Sequence, residues 1–86
     1  MEINELRQQI NQIDHAMVAL FMERMNLAAQ VAAYKKQNQI PVYDPVREQE
    51  ILQAITEQAG PELEQYITEL YDTLFRLSRS YQSKLI

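Results

Sequence analysis

MEINELRQQINQIDHAMVALFMERMNLAAQVAAYKKQN, residues 1–38, is the stretch that decides the fold of this chain. Apolar residues at alternating steps of three and four (Ile3, Leu6, Ile10, Ile13, Met17, Leu20, Leu27, Val31 and Tyr34) form a heptad seam along one helix. Arg24 fills the slot left open in that seam. A guanidinium cannot lose its charge, and burying it unpaired costs several kcal/mol, so something anionic should meet it. The plainer alternative is that a polar seam residue fixes register or oligomeric state.

No Gly or Pro interrupts this helix, expected over about residues 2–38. At 1.5 Å per residue it would be roughly 55 Å long, whereas a compact domain of this size has a radius of gyration near ~12 Å. The rest of the chain cannot cover both ends of such a rod, which points to a second copy. With 86 residues, one Gly, three Pro and 47% hydrophobic content, a single small domain is expected, near the size at which a lone core becomes marginal.

Other functions are disfavoured by composition. With no cysteine and a single histidine, His15, neither a disulfide scaffold nor a thiolate or histidine metal centre is expected. The apolar runs are short and no signal-peptide pattern opens the chain, so the expectation is a cytoplasmic protein without a membrane partner. A net charge of -4 opposes nucleic acid and anionic membrane surfaces. Any anion this chain binds must be met by a local cluster of cations.

Beyond the first helix, Pro41 stops a short connection, and Asp44-Pro45 restarts a helix with an N-cap and a proline at its first position. This second helix is expected over about 45–58, burying Val46, Ile51, Leu52 and Ile55. Gly60-Pro61 ends it and opens a third, about 61–84, with an apolar seam of Leu63, Ile67, Leu70, Leu74, Leu77 and Tyr81. The fold class is therefore all-α, a three-helix chain with a very long first helix.

Helix geometry sorts the polar residues. Arg24 and Lys35 fall within about 20° of each other and about 16 Å apart along the axis, so they share a face. Lys36 is rotated by about 120° from Arg24 and belongs to solvent. Arg7 lies about 25 Å from Arg24 along the same helix, so one small ligand can touch both only if Arg7 comes from another copy. Asp44, Arg47 and Glu48 bring charge and free N–H groups to the start of the second helix. Ser78 and Gln82 are an i, i+4 pair on the third helix, able to hydrogen-bond without charge. Taken singly, each has an ordinary explanation: an exposed helix charge, an N-cap, a surface polar residue.

As an ordered set they do not. Leu6-Arg7-Gln8-Gln9-Ile10 with Asp14, Glu23-Arg24, Lys35, Val42 to Glu48, and Ser78 with Gln82 together resemble the all-helical chorismate mutase family, across essentially the whole chain. The resemblance implies an intertwined six-helix homodimer with long first helices pairing antiparallel, and two sites that each receive Arg7 in trans. It implies rearrangement of chorismate to prephenate, on the route to phenylalanine and tyrosine, a pericyclic step for which no cofactor and no metal is expected. Arg24 and the second copy's Arg7 would hold the substrate carboxylates. Lys35 would bridge a carboxylate and the ether oxygen, to which Gln82 would also donate. Glu48 would accept from the ring hydroxyl with Asp44 in support, and Arg47 and Ser78 would complete the lining, Ser78 toward the ring carboxylate.

This sequence departs from the family's pattern at Met25 and Asn26, and at Leu77 and Arg79 beside Ser78; these touch pocket edges and remove no expected catalytic position. Two rivals are an isochorismate pyruvate-lyase of the same fold and a non-catalytic helical dimerisation or regulatory module. The segment from Asp44 to Glu48 and the full polar set favour the mutase over the lyase. The non-catalytic reading leaves Arg24 in the seam, with Lys35 on its face, unexplained.

Overall fold

A computed structural model describes residues 2–86; Met1, the first residue of the deciding stretch, lies outside them. Three helices make up the described chain: α1 (Ile3–Gln37), α2 (Pro45–Ala59) and α3 (Glu64–Leu85). The molecule measures 54 × 26 × 15 Å, with a radius of gyration of 15.9 Å. Its long dimension is set by the uninterrupted α1, whose 35 residues correspond to roughly 52 Å of helix.

Local chemistry accounts for the ends. At the end of α1, Asn38 donates from its side chain to the Tyr34 carbonyl at 2.8 Å. Gln39 then takes a left-handed φ of 56°, a conformation that usually falls to Gly or Asn after a helix. Asp44 caps α2, its carboxylate accepting from the Arg47 amide at 3.0 Å, and Pro45 occupies the first turn. Gly60 closes α2 at φ 84°, where a side chain would be strained. The third helix starts later than Pro61, because Pro61 to Leu63 form a turn before Glu64.

α3 lies against both α1 and α2, which among the described residues do not pack on each other. Ala28 and Ala32 form the buried line of α1, Ala32 with no exposure at all, and their small side chains let α3 come close. On α3 the buried residues are Phe75, Ser78 and Gln82. Along the leucine-rich seam of α3, Leu63, Leu70, Leu77 and Tyr81 are exposed in the single chain, while the line through Phe75, Ser78 and Gln82 faces inward. The expected burial of Val46, Ile51, Leu52 and Ile55 needs correction: α2 buries no residue fully, and Val46 is 70% exposed, because only α3 covers it.

The α1 seam stands open. Every residue from Glu2 to Glu23 is exposed, and Ile10, Ile13 and Leu20 expose 55%, 57% and 63% of their surface. A contiguous apolar stripe of this length marks a surface for association. Among the described residues no helix is long and apolar enough to cross a membrane.

Candidate active site

α1, α2 and α3 converge on a cavity of about 290 Å³, close to the lower bound of the ~300–1,000 Å³ usual for small-molecule sites. Arg24 and Lys35 reach it from α1, Arg47 and Glu48 from the first turn of α2, and Ser78, Arg79 and Gln82 from α3. Asp44, at the cap of α2, also lines it, and Leu27, Val31, Ile51 and Phe75 supply apolar wall. Seven of the residues singled out in the sequence thus meet in one place: Arg24, Lys35, Asp44, Arg47, Glu48, Ser78 and Gln82. Arg7 does not join them; it sits in the exposed N-terminal half of α1.

Neighbours hold Arg24, Lys35, Gln82 and Glu48 in place. The Arg24 guanidinium lies 5.9 Å from the centre of the Tyr71 ring, within cation–π range, and Tyr71 in turn meets Phe75 edge-on at 5.9 Å. Aromatic packing on α3 therefore positions a cation carried by α1. The Lys35 ammonium donates to the Val42 carbonyl at 2.7 Å. That bond ties the end of α1 to the connection before α2, and it uses one of three N–H donors, leaving two for a ligand.

Gln82 is buried and donates from Nε2 to the Ser78 hydroxyl oxygen at 3.0 Å, while its Oε1 is buried without a hydrogen-bond partner. One amide hydrogen remains to be donated elsewhere. Turning the amide by 180° would let the Ser78 hydroxyl donate to Oε1 and leave both hydrogens free. Either way a neutral donor is fixed at the wall of a cavity lined by cations.

Arg79 is the site residue that sequence reasoning placed only at the pocket's edge. Its Nη1 donates to both carboxylate oxygens of Glu48 at 2.6 Å, and its guanidinium lies 5.0 Å from the Tyr43 ring centre. The partners are far apart in the chain, so no helical period announces the pair. The only trace in the sequence is a basic residue directly after Ser78, where the α3 reading looked for hydrogen-bonding neutrals.

Four basic and two acidic side chains line the cavity, on a chain of net charge -4. With Glu48 neutralised by Arg79 and Asp44 engaged in capping, Arg24, Lys35 and Arg47 are left to face an occupant. Among the described residues no group of acidic and histidine side chains could hold a metal ion. The arrangement suits a small, multiply anionic molecule with a neutral acceptor near Gln82, held by charge-assisted hydrogen bonds.

Fold and site together define an all-helical chain that gathers basic side chains from three helices around a small-molecule cavity. The profile of the family described as chorismate mutase type II matches residues 6–83, which takes in all three helices, and the chain belongs to that family. It is 41% identical over 54 residues to a chorismate mutase of Methanocaldococcus jannaschii, covering 63% of this chain and 54% of that one. It is 38% identical over 52 residues to the T-protein of Haemophilus influenzae, covering 60% of this chain and 14% of the relative. A bifunctional chorismate mutase/prephenate dehydratase of Aquifex aeolicus is 37% identical over 54 residues, covering 63% and 15%. The chain thus spans about half the length of one of these relatives and about a seventh of the other two. No solved structure gives a significant match.

Proposed function

We propose that this chain rearranges chorismate to prephenate, and that it does so as a homodimer whose two sites each take Arg7 from the other copy. The observation that carries the reading is the convergence of Arg24, Lys35, Glu48, Ser78 and Gln82, from three helices, on one cavity. Family membership supports it independently.

The reaction is intramolecular and pericyclic: the carbon–oxygen ether bond breaks as a carbon–carbon bond forms. No nucleophile is required. The catalyst holds the dianion in its compact conformation and stabilises negative charge growing on the ether oxygen. Arg24 and the second copy's Arg7 hold the carboxylates, with Arg47 adding positive potential. Lys35 uses its free donors on a carboxylate and the ether oxygen, and Gln82 gives that oxygen its spare amide hydrogen. Glu48 accepts from the ring hydroxyl, and Ser78 lies toward the ring carboxylate. A rate gain of about a millionfold requires roughly 8 kcal/mol of differential stabilisation, within reach of several charge-assisted hydrogen bonds in a closed pocket.

The second copy is supported by the open α1 seam, which a partner helix would cover, and by the separation of Arg7 from the cavity. The deciding experiment is consumption of chorismate with identification of the product. Prephenate is the expected result. Pyruvate release, or no consumption, would overturn the assignment.

A further inference from the structure

We propose that Arg79 is a positioning residue for substrate binding: it neutralises Glu48 and aims its carboxylate at the ring hydroxyl. The role rests on the function proposed above and adds a residue to it.

The argument starts from charge. A dianion entering the cavity meets the Glu48 side chain, which is only 21% exposed. An unpaired carboxylate there would repel the ligand it is meant to hold. Arg79 removes that conflict, with Nη1 donating to both Glu48 oxygens at 2.6 Å. A carboxylate offers about four acceptor positions, so one bond to each oxygen leaves room for a hydroxyl. The net result is an acceptor that keeps its hydrogen-bonding capacity without its full repulsion.

Arg79 is itself held. Its guanidinium lies over the Tyr43 ring at 5.0 Å, so α3, the first turn of α2 and the connection preceding it are fastened at one point. That connection also carries Val42, whose carbonyl accepts from Lys35. Lys35 has that backbone anchor independently of Arg79, so the latch acts on Glu48. Lysine at this position would keep the charge but lose the planar guanidinium that lies over the Tyr43 ring while bonding the carboxylate. With Arg79 at 35% and Glu48 at 21% side-chain exposure the pair is partly screened by solvent, and Tm measured beside KM separates its contribution to folding from its effect on binding.

The hydroxyl is bonded in the bound substrate and in the transition state alike, and removing such uniform binding raises KM with little change in kcat. Arg79→Met, which keeps the aliphatic stem, is expected to raise KM for chorismate by about tenfold and to change kcat by less than about twofold. Arg79→Lys should recover part of the loss. In a Glu48→Gln background, where no charge needs neutralising, Arg79→Met should raise KM by less than about twofold. Circular dichroism and Tm of each variant establish that it is folded, and Arg79→Gln serves if Arg79→Met is not.

An active parent whose KM is unchanged by Arg79→Met would overturn this role alone. A penalty of equal size in the Glu48→Gln background would overturn it too, because Arg79 would then act on the substrate directly. A parent that leaves chorismate untouched would overturn the function and this role with it.

Discussion

Ile13 sits near the middle of the open half of α1, 57% exposed, and lines neither the candidate site nor the apolar cavity beside Arg24. If the chain acted alone, Ile13→Asp would be a surface change worth no more than about ±0.5 kcal/mol. In the dimer the outcome is different in kind. Burying an isoleucine against a partner contributes about 1.5–3 kcal/mol, and a carboxylate in its place must also be desolvated, so about 3 kcal/mol per chain is a conservative loss. A symmetric dimer carries the substitution twice, for about 6 kcal/mol, or roughly 10⁴-fold in Kd at 1.4 kcal/mol per factor of ten. Sedimentation at about 1 µM, a concentration that separates nanomolar from micromolar dimers, should therefore give twice the 10.1 kDa chain mass for the parent and a single chain mass for Ile13→Asp. Activity should fall with the dimer, since Arg7 would no longer be supplied. The outward-facing Gln12→Asp is the control, expected to remain dimeric and active. A parent that is a fully active monomer, or an Ile13→Asp that stays dimeric, would refute the reasoning.

Other expectations follow from the same geometry. Arg7→Ala and Arg24→Ala should each be inactive, yet mixing them under conditions of subunit exchange should restore turnover, because each heterodimer holds one intact site; confirmed heterodimers without activity would exclude a shared site. Gln82→Glu should be poorly active at neutral pH and recover in acid, since the ionised carboxyl offers no hydrogen to the ether oxygen and repels its growing charge; beside a dianion the introduced group should protonate above the reference value of about 4.3. Lys35→Ala should be inactive across the same pH range, and an unchanged pH–rate profile for Gln82→Glu would remove Gln82 from the reacting oxygen. Gln39→Gly, relieving the left-handed φ of 56° after α1, should raise stability by up to about 1 kcal/mol in urea titrations, because glycine takes this conformation freely.

What the sequence made legible was what local chemistry determines. The Asp44-Pro45 start of α2 and the Gly60 stop each depend on residues within a turn of one another, and the structure has the hydrogen bond and the positive φ to match. Periodicity weighs apolarity and so does not pick out the line that α3 turns inward, which is partly polar: Phe75, Ser78 and Gln82. The leucines mark a richer stripe, most of which is exposed in the single chain. A helix that helps line a polar cavity and presents a second apolar face elsewhere carries two periods at once, and the stronger one is not the one its own chain buries.

Arg79 was underread for a related physical reason. Charged pairs within a helix follow i, i+4 spacing and can be seen in sequence. A pair that joins α3 to α2 depends on how two helices cross, and Glu48 and Arg79 meet only because α3 packs against α2. Packing of α3 on both α1 and α2 turns a chain of net charge -4 into one with a locally positive cavity, since it draws Arg24, Lys35, Arg47 and Arg79 to one point and leaves most carboxylates outside. An acidic exterior around a basic pocket focuses potential at the mouth and discourages large polyanions from the rest of the surface. For the proposed substrate, the cavity would set size selection among anions and its lining charge selection. Arg79 belongs to both, since the guanidinium that neutralises Glu48 is also part of the wall.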